Sequence, residues 1–203
     1  MANFKPAMLM SIFKAFFSFF ELVHLIVQVH KQLYLMVRDK LFPIELNDRK
    51  IRTQNVVVTG GANGLGRQLC LQLADRGAYV FIFDIDDIAG NDLVNNICSK
   101  RQQMVKASYG NAYYVHVDVT DFHQVQRAFE QIRALGRHVS ICINNAGVLN
   151  CDSLIDLTPD AIKRTLNVNL LAHFWTTKCV LPYMIEKKNG HIVAIASNFG
   201  RPP

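Results

Sequence analysis

The chain has 203 residues, 50% of them hydrophobic and 19% charged, so it is long and apolar enough to bury one sizeable core. That composition excludes a disordered chain, and no collagen-like, proline-rich or repeated segment is present. The formal charge of +6 is uneven: residues 1–53 carry eight Lys/Arg against four Asp/Glu, and residues 54–203 carry fourteen against twelve.

The basic excess therefore accompanies the most apolar quarter of the chain, which favours an anionic membrane surface over nucleic acid as a partner. Six of the thirteen Phe lie in the first twenty positions. Phe13, Phe16, Phe17 and Phe20 follow the spacing of one helix face, with Lys14, Ser18, Glu21, Gln28 and Gln32 roughly opposite. Lys14 interrupts the apolar run and no small-x-small site follows, which argues against a secretory signal. A spanning helix needs about 20 mostly uncharged residues, whereas the longest stretch here free of Asp, Glu, Lys and Arg is Leu22 to His30. Residues 1–45 are thus expected to form a hydrophobic anchor helix lying in the interface or folded back as a hairpin. An amphipathic helix packed on the rest of the chain or on a second copy is the alternative. The run Arg49, Lys50, Arg52 is either a basic flank or a solvated linker.

Residues 46–203 read as a second unit. Asn55–Thr59 is a β-branched run ending in glycines, a buried strand. A helix follows with Leu65, Leu69 and Leu73 on one face, stopped by Arg76-Gly77. Tyr79–Asp84 is the second strand, and a helix over residues 89–103 leads to the third, Ala112–Val117. The next helix carries Phe122, Val125, Phe129, Ile132 and Leu135, ends at Gly136, and precedes a fourth strand, Val139–Ile143. Thr158-Pro159-Asp160 signals a helix start. That helix runs past Trp175 towards Pro182 and finishes before Asn189-Gly190. His191–Ala196 is the fifth strand. Strict alternation implies an α/β fold: a doubly wound, Rossmann-type parallel sheet, incomplete at about five strands, with right-handed crossovers.

Five cysteines (Cys70, Cys98, Cys142, Cys151, Cys179) form no C-x-x-C pair, so reduced thiols facing the cytosol are expected. No His or Cys pair has zinc-ligand spacing, and no metal site is expected. His116 and His173 read as ordinary core or surface residues, and Cys142 as a small buried hydrophobe.

The chemistry gathers at strand ends. The first strand runs into Thr59-Gly60-Gly61-Ala62-Asn63-Gly64-Leu65-Gly66. Glycines there let the backbone turn and approach a pyrophosphate, while the opening helix offers free N–H groups. A purely structural turn is the alternative. No Lys follows the glycines, as a phosphate-loop ATPase requires. Asp84 ends the second strand eighteen residues after Gly66, where an acid bonds the ribose hydroxyls of an adenosine or, alternatively, opens a turn. A 2′-phosphate would meet like charge from Asp84, Asp86 and Asp87 with no cation at Asn63, so NAD is expected rather than NADP.

Together these motifs resemble the short-chain dehydrogenase/reductase family. Thr59–Gly66 matches its TGxxxGxG. Asp118-Val119-Thr120 looks like the element that meets the adenine. Asn144-Asn145-Ala146-Gly147 matches its NNAG, which lines the nicotinamide side. Asn169 aligns with the family's active-site asparagine, whose backbone helps hold a relay water, and Ser197 with the serine that bonds the substrate oxygen. The stretch Val168–Trp175 with Leu181–Met184 is similar to the membrane-attached branch of retinol and 17-beta-hydroxysteroid dehydrogenases, epidermal retinol dehydrogenases especially.

The resemblance implies an oxidoreductase of lipophilic alcohols or carbonyls (a retinoid, steroid or fatty aldehyde) at the endoplasmic reticulum membrane or a lipid droplet, its catalytic domain facing the cytosol. It also implies a Tyr-x-x-x-Lys acid–base pair after the serine, but only six residues follow Ser197. Tyr183 and Lys187 have the spacing yet precede the fifth strand, which places them at the wrong end of the sheet. Residues 1–203 alone are therefore expected to be inactive. The alternative is a non-enzymatic shortened paralogue or splice form that binds, or pairs as a homo- or hetero-dimer with a full-length relative.

Overall fold

A computed structural model of the chain describes residues 51–103 and 110–197, together with residues 20, 21, 23, 24, 27, 28 and 30. The chain divides into two compact units, Met1–Leu46 and Asn47–Pro203. In the first, the described residues are helical and exposed, and His24 and Gln28 approach to 3.4 Å. Phe13, Phe16 and Phe17 lie outside the described residues. Among those that are described, no helix is long and apolar enough to cross a membrane.

The second unit alternates strand and helix: β1 (Asn55–Thr59), α1 (Gly64–Asp75), β2 (Tyr79–Asp84), α2 (Asp87–Gln103), β3 (Asn111–His116), α3 (Phe122–Ala134), β4 (Ile141–Asn144), α4 (Pro159–Leu166), a π-helical turn (Asn167–Leu171), α5 (Ala172–Glu186) and β5 (His191–Ala194). All strands are parallel, in the order β3-β2-β1-β4-β5. The order reverses between β1 and β4, and such a switch point opens a crevice at the carboxyl ends of the strands.

Period-two alternation sorts the side chains into two cores. Val57, Phe81, Phe83 and Cys142 face α3 and α5, packing with Val125, Phe129, Ile132 and Val180. Val56, Val58, Val80 and Ile82 face α1 and α2, packing with Cys70, Ala74, Leu93 and Ile97. Burial pushes the Cys70 and Cys142 thiols up to about 12, so both are inert packing groups.

Two sequence readings are refined. The Leu65, Leu69 and Leu73 face of α1 is not its most buried one: Gly66, Cys70 and Ala74 are fully buried, Leu69 and Leu73 are half-buried against the core, and Leu65 is 57% exposed. Small side chains let this stripe come close to the glycine-rich loop, where the Cys70 thiol donates to the Gly61 carbonyl at 3.6 Å. Helix α2 also starts two residues earlier than its apolar pattern, because Asp86 accepts from the Ala89 N–H at 2.9 Å and caps it. The start of α4 is as expected, with Thr158 accepting from the Ala161 N–H at 3.2 Å and Pro159 in first position.

Candidate active site: a dinucleotide cleft at the switch point

The glycine-rich loop leaves β1 in a conformation that each glycine supports differently. Gly60 has φ +60 and Gly64 φ +52, both left-handed. Gly66 is required by space, since a Cβ there would lie 2.1 Å from the Gly60 carbonyl and 2.6 Å from Asn145 Nδ2. The loop is tied to β2 by the Gly60 N–H donating to the Phe83 carbonyl at 2.8 Å.

The segment after β4 locks it from the other side. Thr59 Oγ1 accepts from the N–H groups of Asn145 and Ala146, and Asn145 Nδ2 donates to the carbonyls of Thr59 and Gly60, all at 3.0 Å. Beneath them, the buried Thr176 hydroxyl donates to Asn144 Oδ1 at 2.7 Å.

Asp84 closes the third side. Its Oδ2 accepts from the Ala62 N–H at 2.9 Å, and its Oδ1 from the N–H groups of Ile85 and Asp86 at 2.8 and 3.1 Å. The two roles the sequence left open are therefore compatible, because the carboxylate shapes the turn and still faces the cleft. Asn63 Nδ2 donates to Asp86 Oδ2 at 3.0 Å. The Ala89 amide, followed by this Asn63 bond, holds the Asp86 carboxyl below the usual carboxylate range. Bonds from Tyr114 and His116 do the same for Asp87, and burial, with the Asp87 bond next, pushes the Tyr114 phenol up.

These elements enclose an open cleft of about 1230 Å³. Gly60, Asn63, Gly64, Leu65 and Gly66 form one wall; Asp84, Asp118 and Val119 form another; Asn145, Ala146 and Gly147 form a third. Thr59 lies beneath, 2% exposed, holding the walls together. Asp118 Oδ1 accepts from the Thr120 N–H and hydroxyl at 2.9 and 2.8 Å, which shapes the turn after β3.

The two catalytic candidates stand outside the lining. Asn169 sits in the π-helical turn, where Oδ1 accepts from the Val148 N–H and Nδ2 donates to the Val148 carbonyl, both at 2.8 Å. Its side chain thus pins the loop after β4, and its place in a π-turn is typical of functional positions. Ser197 lies three residues past the end of β5, on the surface.

Sequence reasoning missed the apolar lining of Ile85, Val148, Leu149, Val168 and Ile195, and it missed Arg164. The first group follows the strand ends closely. Arg164 and Val168 are spaced i, i+4 on one helix face, a signal that could have been read.

The cleft fits a nicotinamide dinucleotide. Helix α1 points its N-terminus into it with no side-chain cap and no acid in its first turn, which leaves helical N–H groups for phosphate. A short chain dehydrogenase profile matches residues 54–203. The chain belongs to the short-chain dehydrogenase/reductase family. Members of this family bind NAD(P), and the match spans every wall of the cleft.

Among similar proteins, retinol dehydrogenase 10-B of Danio rerio is 33% identical over 77% of this chain and 50% of its own length. Epidermal retinol dehydrogenase 2 of Mus musculus is 31% identical over 87% of this chain and 55% of its own. The chain thus spans about half the length of the curated relatives it matches. The crystal structure of gox2181 superimposes with a TM-score of 0.67 at 29% identity, covering 75% of this chain and 59% of that one.

Tyr183, which carries the family's spacing with Lys187, lies far from this cleft. Its ring packs under the Arg133 guanidinium at 4.2 Å and borders a small cavity with His138 and Val139, just before β4. Lys187 pairs with Glu186 at 2.8 Å.

Proposed function

We propose that this protein is an NAD-dependent oxidoreductase acting on a lipophilic alcohol or carbonyl compound such as a retinoid, a steroid or a fatty aldehyde. The carrying observation is Asp84, held by three backbone amides in the wall of the cleft and followed by Asp86 and Asp87, and this is where the ribose is assigned. Its remaining lone pairs take ribose hydroxyls, and its charge repels a 2′-phosphate. The amides of Asn63–Gly66 receive the pyrophosphate, and Asn145 keeps that loop in register with the nicotinamide side. Asn169 holds the loop after β4 in place, and Ser197 positions the substrate oxygen. When bound, the nicotinamide ring supplies or accepts the hydride. Support for the lipophilic substrate comes from the names of the relatives, two of which are retinol dehydrogenases.

The test is titration of the 203-residue chain with NAD and NADP. NAD binds more tightly, and Asp84→Ala narrows the gap by removing both ribose bonds and repulsion. Equal or tighter NADP binding to the unsubstituted chain sinks the assignment.

The proposal has two further parts. Residues 1–203 bind cofactor without turnover, because their Tyr-x-x-x-Lys pattern stands at the opposite end of the sheet, and general acid catalysis is worth about 10²–10⁴-fold. Oxidation of retinol by this polypeptide, abolished by Tyr183→Phe, would contradict that. Residues 1–45 attach the protein to the endoplasmic reticulum membrane or a lipid droplet with the dehydrogenase domain in the cytosol. A reporter fused to residues 1–45 that stays soluble rules the attachment out.

A further inference from the structure

The glycine-rich loop offers N–H groups to an anion but brings no charge. Asn63, Gly64, Leu65 and Gly66 are neutral, and the nearest cation is turned away. The Arg67 guanidinium is bound to Asp92 at 2.6 Å and reaches the carbonyls of Ala62 and Ala89 at 3.4 Å. Asp84 and Asp118 add negative charge to the lining. A ligand carrying phosphates or a carboxylate therefore enters walls of its own sign unless a cation faces it.

Among the described residues, Arg164 is the sole basic side chain lining the cleft. Lys163 beside it is within 4.0 Å of Asp160, but no hydrogen bond or ion pair engages the Arg164 guanidinium among the described residues. Its helix is fixed in place. Asn150 Nδ2 donates to Thr165 Oγ1 at 2.6 Å, and Asn169 grips Val148 through both amide atoms. An exposed, unpaired guanidinium carried on a pinned helix at the rim of the cleft is available as a fork for two anionic oxygens.

We propose that Arg164 is the anion receptor of the cleft. Its guanidinium takes an anionic group of the ligand that fills the cleft, either a phosphate of the dinucleotide or the carboxylate of a second ligand lying on Val148, Leu149 and Val168. The inference rests on the dinucleotide reading of the cleft.

The experiment titrates the full chain, Arg164→Gln and Arg164→Lys by calorimetry with NAD, adenosine and dodecanoate, at low and high salt. Arg164→Gln weakens NAD binding about tenfold, flattens its salt dependence and leaves adenosine unchanged; Arg164→Lys restores part of the loss. Unchanged NAD binding with loss of dodecanoate binding assigns the anion to the second ligand and supports the receptor role. Unchanged affinity for both NAD and dodecanoate in Arg164→Gln overturns it. If the unsubstituted chain takes up no NAD, the dinucleotide reading fails separately, and the dodecanoate arm decides Arg164 by itself.

Discussion

At the residue scale, the cleft depends on a few side chains that hold backbone rather than ligand. Thr59 is the clearest case: one hydroxyl oxygen receives two N–H groups from the segment after β4, at a position 2% exposed. Replacing it by Val keeps the shape and orphans both donors, and a buried orphan costs about 1–3 kcal/mol. Thr59→Val is therefore expected to lower the unfolding free energy by roughly that amount and to weaken NAD binding, while Thr59→Ser retains both. Denaturant melts with parallel cofactor titrations measure this, and a Val variant as stable as the original chain refutes the lock. The sequence indicates that Thr59, Asn145 and Asp84 belong together, because each sits at or just past a strand end and falls in a motif of the same family. It does not indicate that Thr59 holds backbone while Gly60 and Asn145 line the cleft, since that division depends on which lone pairs neighbouring segments occupy.

At the scale of elements, helix starts were easier to read than helix faces. Thr158-Pro159 begins α4 by local chemistry alone. The buried face of α1 is set by how near the helix must come to the sheet, which no leucine count shows. The π-turn at Asn167–Leu171 was likewise invisible to a 3.6-residue period, although Asn169 within it was singled out by motif. Capping carboxylates carry a pH signature. Asp121 accepts from the N–H groups of His123 and Gln124 at 2.8 and 3.2 Å, and the Gln124 amide bond chiefly holds its carboxyl below the ordinary 3.8. A depressed folded-state value means the contribution to stability is complete above the unfolded value and disappears as pH falls through the folded one. Asp121→Asn should thus flatten the acid limb of the stability curve below the ordinary aspartate range and change its slope little at neutral pH. Thermal melts across an acid series test this, and an unchanged acid limb refutes it.

At the scale of the whole molecule, strand–helix alternation and the right-handed crossover imply a parallel, doubly wound sheet, but the order β3-β2-β1-β4-β5 is seen only in the structure, because other doubly wound orders share the same alternation. The first unit was less legible, because an amphipathic Phe-rich segment has the same periodicity whether it meets lipid or protein. The sheet ends on β5, which pairs with β4 on one side and with no other described strand. Ile192 and Val193 there are 39% and 40% exposed, although their partners Cys142 and Ile143 on β4 are buried, and Ile195 just past the strand is 39% exposed. An edge rich in β-branched residues, without charge or proline between Ile192 and Ala196, is a template for further strand pairing. The polypeptide of residues 1–203, studied by itself, is therefore expected to self-associate at roughly micromolar concentration. Val193→Lys places a charge on that edge and should keep it monomeric without loss of amide protection in β1, because Val193 is already half in solvent. Sedimentation velocity with hydrogen exchange decides the matter. A monomeric unsubstituted polypeptide, or a Lys variant that associates equally, shows that β5 is not the adhesive edge.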